Sequence, residues 1–246
     1  MGRIGTIAAA PHSRDSFYVP ASTSPLQVLF EDNHLLVVNK PAGIATMGTA
    51  AGTTSMVTLA KQYLKQQYKK PGNVYLGVVS RLDSLVSGVL VFARTSKAAA
   101  RLSEQFRDRK TMKLYWAIVA GVPKPKKGEL VHWISKDESQ QRMVAGSKKS
   151  VDAQEARLKY QTLREFPQGT LVEVELLTGR KHQIRVQLAA AGHPILGDRK
   201  YGSKESFPAG IALHARILTL EHPTLKKPLT FNAGLPKVWE RWKKSL

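Results

Sequence analysis

The stretch Tyr75-Leu76-Gly77-Val78-Val79-Ser80-Arg81-Leu82-Asp83-Ser84-Leu85-Val86-Ser87-Gly88-Val89-Leu90-Val91-Phe92 sets a connection, residues 80–88, between two apolar runs. The second run, Val89 to Phe92, is short and wholly apolar, as in a buried strand. Asp83 therefore belongs to a loop held by two buried strands, a common way for a fold to present a catalytic group. An Asp before a Ser also makes turn hydrogen bonds, so the loop alone leaves a structural role open.

Upstream, Val28-Leu29-Phe30 and Leu35-Leu36-Val37-Val38 flank the polar Glu31-Asp32-Asn33-His34, a strand-turn-strand pattern. Val57, Ala60, Leu64 and Tyr68 recur at helical spacing and predict a helix over 55–69, ended by Pro71-Gly72. Downstream, Ser96 is the expected cap of a helix whose apolar stripe is Ala99, Leu102 and Phe106. A strand follows over 113–119. Residues 123–128 read as an exposed basic loop, and 136–150 as a polar stretch without periodicity. Alternation returns over 171–176, predicting a half-buried strand, and Ile184, Leu188 and Ala191 mark a helix stopped by Gly192. Strands and helices mix without regular βαβ alternation, so the reading is an α+β domain on a mixed, largely antiparallel sheet with flanking helices.

The chain has 246 residues, 42% hydrophobic and 23% charged, which suits one sizeable domain. Its 38 Lys and Arg against 18 Asp and Glu leave a formal charge of +20, distributed along the chain, which points to a polyanionic partner. No apolar run approaches the ~20 residues that span a bilayer, so nucleic acid is favoured over a membrane. The absence of Cys excludes disulfides, thiolate metal sites and a Cys nucleophile.

Arg81-Leu82-Asp83 followed by Ser87-Gly88 and an apolar strand resembles the catalytic motif of the RluA-like pseudouridine synthase family. Further matches follow in the family's order: Asn39-Lys40-Pro41-Ala42-Gly43, then Lys113-Leu114-Tyr115, then Thr178-Gly179-Arg180-Lys181-His182-Gln183-Ile184-Arg185-Val186. Gly192-His193-Pro194-Ile195, Gly197-Asp198, Tyr201-Gly202 and Leu213-His214-Ala215 complete the set. Ordered matches across most of a chain are very hard to obtain by chance.

The resemblance implies the pseudouridine synthase catalytic fold over 25–246, with a central basic RNA-binding cleft. A flexible arm over 1–24 is expected before it, with no separate N-terminal RNA-binding domain. It implies isomerisation of uridines in ribosomal or transfer RNA, with Asp83 as catalytic carboxylate. That chemistry needs no cofactor and no metal, and the expected protein is a cytoplasmic monomer that binds RNA and no membrane. A carboxylate kept ionised under an extruded base needs a nearby cation. By resemblance that cation is Arg185, and Tyr115 packs on the target base with its hydroxyl near C5. Arg81 is then a candidate to fill the space of the flipped base, and Arg180 and Lys181 to hold phosphates. His182 is an RNA-side candidate whose plainer reading is a hydrogen-bonded structural His.

Three positions depart from the family's usual pattern: Ser80 where His is typical, Val86 where Thr is typical, and Gln187 where His is common. Ser80 and Val86, with the +20 charge, motivate a second reading, a catalytically weakened RNA-binding member acting in RNA folding or ribosome assembly. A glycosidase or nuclease would want a second carboxylate or a metal cluster, and only Asp83 has such a setting.

Overall fold

A computed structural model describes residues 26–48, 52–146 and 152–243. In chain order it contains β1 (Gln27–Glu31), β2 (Leu35–Lys40), α1 (Met56–Gln67), β3 (Gly77–Val78), β4 (Ser87–Ala93), α2 (Ser96–Arg107) and β5 (Met112–Val119). Then follow β6 (Lys127–Asp137), β7 (Arg142–Gly146), β8 (Gln154–Phe166), β9 (Gly169–Leu176), α3 (Gln183–Ala190), β10 (Leu213–Glu221), β11 (Pro228–Asn232) and α4 (Glu240–Lys243). The arm expected over 1–24 lies outside the described residues.

The strands form one sheet in the order β1-β2-β4-β10-β5-β9-β8-β6-β7, with β11 on β10 and β3 on β4. Among the described residues its one parallel pairing is β10 with β4, His214 opposite Ser87 and Ala215 opposite Gly88. Gly88 stands at φ +119 where a Cβ would lie 2.2 Å from the Ala215 carbonyl oxygen, so only glycine lets these strands meet. Ser87 Oγ and His214 Nδ1, 2.9 Å apart, add a buried side-chain link across the same junction.

The apolar run read from the sequence is buried because both faces of β2 and β4 are covered. Leu36, Val38, Leu90 and Phe92 pack with Met56, Ala60 and Leu64 of α1. On the opposite face, Leu35, Val37, Val89 and Val91 pack with Ala98 and Leu102 of α2. Each such side chain removed from water contributes about 2 kcal/mol. A second centre gathers Val172 and Val174 of β9, Ile184 and Leu188 of α3, and Trp239 and Trp242 near the C-terminus.

Local expectations need several corrections. α1 is capped by Ser55, whose hydroxyl accepts from Thr58 N–H, but Tyr68 falls just past its end and is 48% exposed, with Met56 buried in the stripe instead. Thr95, not Ser96, caps α2. The expected loop over 123–128 already becomes β6 at Lys127, and much of 136–150 is the β6–β7 hairpin, Asp137 opposite Arg142. The remainder of that stretch, 147–150, lies outside the described residues. β9 begins at Gly169, is buried along Gly169–Val172 and alternates into half-burial over Glu173–Leu176, its apolar residues sharing a core with Ile184 and Leu188 of α3 and the C-terminal tryptophans. Ala191 is the exposed C-cap of α3, and Gly192 follows at φ +85 as the stop the sequence indicated.

Candidate active site

The loop between β3 and β4 is pinned on each side of Asp83. Thr46 Oγ1 donates to the Leu82 carbonyl at 2.8 Å and accepts from Leu82 N–H at 3.1 Å. Gly43 N–H donates to the Ser84 carbonyl at 2.7 Å, and Ile211 N–H to the Leu85 carbonyl at 3.2 Å. A Cβ at Gly210 would sit 2.3 Å from that Leu85 oxygen, which is why the close approach there uses glycine. A turn from Val86 N–H to the Asp83 carbonyl closes the loop. Backbone anchoring of this kind leaves the Asp83 side chain, 30% exposed, as the free projecting group.

Lys40 is the deepest of these anchors. Fully buried, it donates from Nζ to the carbonyls of Ile44 at 2.6 Å, Pro41 at 2.8 Å and Ser84 at 3.1 Å. Burial lowers its pKa to about 8, against the pull of the Asp83 charge. Its site is satisfied by neutral carbonyls, so the ammonium acts as a positive clip under the loop.

Asp83 faces α3. Arg185 Nη1 donates to Asp83 Oδ2 at 3.2 Å, and Arg185 is 4% exposed. The expectation of a cation beside Asp83 thus has a geometry. The sequence reading did not assign Asp198 a role, yet it accepts from Nε and Nη2 of the same guanidinium at 2.7 and 2.8 Å and is 1% exposed. Burial opposes the Arg185 charge, but bonds to Asp198 and the charges of Asp198 and Asp83 outweigh it and raise its pKa. Tyr201 adds a ring face 4.9 Å from the guanidinium carbon. A buried Arg with one free N–H edge is the signal that would have called for a second acid, and Gly197-Asp198 was its nearest motif.

α3 is held to the sheet by a chain of buried amides. Thr178 Oγ1 donates to Gln183 Oε1 at 2.7 Å, and Gln183 Nε2 donates to Gln187 Oε1 at 2.9 Å. Gln187 Nε2 then meets the carbonyls of Ala156 at 3.0 Å and Leu130 at 3.1 Å, with His132 Nδ1 at 3.1 Å. Gln187, one of the departures from the family pattern, is therefore wholly buried and joins α3 to β6 and β8.

His182 stands at φ +55 where the chain enters α3, without a side-chain cap bond. Its Nε2 lies 3.6 Å from Asp83 Oδ1, beyond hydrogen-bond range, while Nδ1 shares a 2.8 Å bond with Tyr201 Oη. Burial lowers its pKa, Asp83 opposes this, and Arg185, Lys181 and Lys200 reinforce it. A neutral imidazole follows, and charge compensation of Asp83 falls to Arg185. Tyr115 lies on β5 opposite Val174 of β9 and Ala215 of β10. Burial, with the Asp83 charge adding, pushes its phenol pKa far above the ordinary value.

Two adjoining cavities, about 540 Å³ and 570 Å³, meet at this point and share Arg81, Asp83, Arg180, His182 and Arg185. Arg81 and Lys181 are exposed, and Arg180 is held by a bond from Nε to the Glu155 carbonyl at 3.1 Å. Lys181 and Lys200 line the second cavity, Arg109 and Lys113 the first. Among the described residues Asp83 is the one carboxylate lining either cavity. Of the other departures, Val86 is buried in the core cluster with Ile184 and Leu213, and both it and Ser80 line the first cavity.

A family model described as RNA pseudouridylate synthase matches residues 34–190, which span the pinned loop and α3. The chain belongs to the RNA pseudouridylate synthase family. Members of that family are isomerases acting on RNA, and the enzyme class of this chain is the same. YhcT of Bacillus subtilis, an uncharacterized RNA pseudouridine synthase, is 37% identical over 215 residues, 86% of this chain and 69% of the relative. The dual-specificity RNA pseudouridine synthase RluA of Escherichia coli K12 is 32% identical over 224 residues, 88% of this chain and 96% of the relative. The solved structure of human RNA pseudouridylate synthase domain containing 4 superposes with a TM-score of 0.73 at 30% identity, covering 88% of this chain and 93% of that one. The mixed sheet is thus a pseudouridine synthase fold. Among the described residues no helix is long and apolar enough to cross a membrane.

Proposed function

We propose that this isomerase acts on uridines of ribosomal or transfer RNA in the cytoplasm, with Asp83 as its catalytic carboxylate. The observation that carries the proposal is the isolation of Asp83: it is the one acid on the described walls of a cleft whose other permanently charged lining residues are Lys and Arg, and Arg185 donates to it. A polyanion entering that cleft meets attraction from the walls and a single negative group at the centre.

In the reaction the N1–C1′ bond breaks, the base turns, C5 bonds to C1′, and the proton lost from C5 is balanced by one taken up at N1. Asp83 serves either by attacking C1′ or by removing a ribose proton to give a glycal. Arg185 stabilises the carboxylate once the extruded base has excluded water. Tyr115, protonated at neutral pH, packs against the base and relays the C5 proton rather than taking it as a phenolate. Arg81 fills the vacated stack, and Arg180 and Lys181 hold phosphates, offsetting the few kcal/mol that extrusion costs.

The test replaces Asp83 with Asn, which keeps the side-chain shape and the acceptor for Arg185, and maps pseudouridine in cellular RNA. Pseudouridine is expected to vanish from one or a few sites. Unchanged modification in the Asp83→Asn strain would end the proposal.

A further inference from the structure

The first cavity continues past Asp83 to a wall that the reaction does not use, where β5 begins and α2 ends. α2 closes with paired backbone bonds, Lys110 N–H to the Gln105 carbonyl at 2.9 Å and Arg109 N–H to the Phe106 carbonyl at 3.4 Å. This motif puts a residue in the left-handed region, a place usually given to glycine, and here it is Arg109 at φ +59. An arginine held where glycine fits better sets a charged side chain at the cleft wall at a conformational cost.

Lys113 meets it there. On β5, Lys113 and Tyr115 are two residues apart and so share one face, about 7 Å apart along the strand. The other face carries Leu114 and Trp116, whose partners on β9 are Glu175 and Glu173. Both acids are thus turned away from Lys113. Its ammonium comes within 3.9 Å of the position a side chain at Gly179 would take, reaching across toward the loop that carries Arg180. Among the described residues neither the Lys113 nor the Arg109 side chain has a hydrogen-bond or ion-pair partner, and both line the cavity. Burial, followed by the Arg109 charge, lowers the Lys113 pKa, the mark of two cations gathered without an anion.

We propose that Lys113 and Arg109 form a seat for a backbone phosphate of the RNA strand flanking the target nucleotide, on the side of Asp83 away from Lys181 and Lys200. A base packed on Tyr115 leaves its strand within reach of Lys113, and the phosphate supplies the counter-charge that the protein withholds. The seat rests on the reading of the cleft as an RNA site, and it assigns the path of the strand on one side of it.

The experiment measures binding of a fluorescent oligouridylate by anisotropy across a salt series, with wild type, Lys113→Met, Arg109→Gly and, as a control, Lys65→Met on the exposed face of α1. Lys113→Met and Arg109→Gly are each expected to weaken binding about three- to tenfold near physiological salt and to lower the salt slope by about 0.7, one phosphate contact to a single strand. Arg109→Gly relieves the left-handed position, so its Tm should equal or exceed the wild-type value, which separates lost contact from lost fold. Unchanged affinity and slope in both variants overturn the seat, as does an equal loss in Lys65→Met, which would mean diffuse charge. Wild-type protein that binds oligouridylate with these variant effects but leaves cellular pseudouridine unaltered on deletion would sink the enzymatic reading and leave the seat standing.

Discussion

Asp198 holds Arg185 through two short bonds, 2.7 and 2.8 Å, while the third edge of the same guanidinium reaches Asp83 at 3.2 Å. The buried acid takes the stronger, bidentate share and sets the plane of the guanidinium. The catalytic candidate keeps the looser contact, which compensates its charge and still lets it move toward a substrate carbon.

Asp198→Asn tests that division. The variant keeps the volume and removes the charge, leaving Arg185 to swing toward Asp83. Breaking a buried pair costs about 3 kcal/mol, so a drop in the urea midpoint is expected. The more telling readout is kinetic. kcat should fall at least about tenfold while the RNA Kd stays within about twofold, because Asp198 touches the guanidinium and not the cleft. A rise in Kd with unchanged kcat would contradict the positioning role.

Tyr115→Phe removes one hydroxyl from an otherwise retained ring. Base packing survives, so oligouridylate affinity should hold. Loss of the proton relay should slow single-turnover isomerisation by about a hundredfold. Equal rates in the two proteins would reduce Tyr115 to a packing residue.

Gln187→Leu cuts the amide chain under α3 and leaves the Ala156 and Leu130 carbonyls without their buried donor. An unsatisfied buried acceptor costs about 1–3 kcal/mol, so thermal stability should fall by that order. Gln187→His, the residue common at this place in the family, should recover most of it. If Gln187→Leu melts with the wild type, the chain does not hold the helix.

His214 makes stability pH-dependent. Burial lowers its pKa from 6.5 to about 4, so the fold binds this proton less readily than the unfolded chain does. Its contribution is complete above pH 6.5 and is lost as pH falls toward 4, by up to about 3 kcal/mol at the lower end. Denaturant midpoints of wild type and His214→Gln across that window check it. The wild-type decline should be the steeper, and parallel lines would dismiss His214 as its source.

Much of the sheet was legible because its signals are local. Val89 to Phe92 read as a buried strand, and the stop at Gly192 follows from backbone freedom there, whereas α1 ends at Gln67 with Lys69 at φ +47 in the left-handed region, ahead of the Pro71-Gly72 stop expected from the sequence. The Ala156-Arg157-Leu158-Lys159-Tyr160 alternation of β8 was equally local, with Ala156, Leu158 and Tyr160 buried, but its charged neighbours masked it and the sequence reading assigned it no element. Asp83, Tyr115 and Arg185 were named from motif order alone, which carries residue identity but no distance.

What the sequence determined by itself was the strands and helices around Asp83, the family resemblance and the identity of the central acid, since strand period, glycine freedom and motif spacing are properties of neighbouring residues. The tertiary structure decided which charges share a site. Asp198 is thirteen positions from Arg185 and Lys113 is 66 from Gly179, and no local pattern states that the first pair is bonded while the Lys113 ammonium comes within 3.9 Å of the Gly179 side-chain position. Those relations arise only when β5, α3 and the pinned loop pack together, because electrostatic partnership depends on distance and burial rather than on order along the chain.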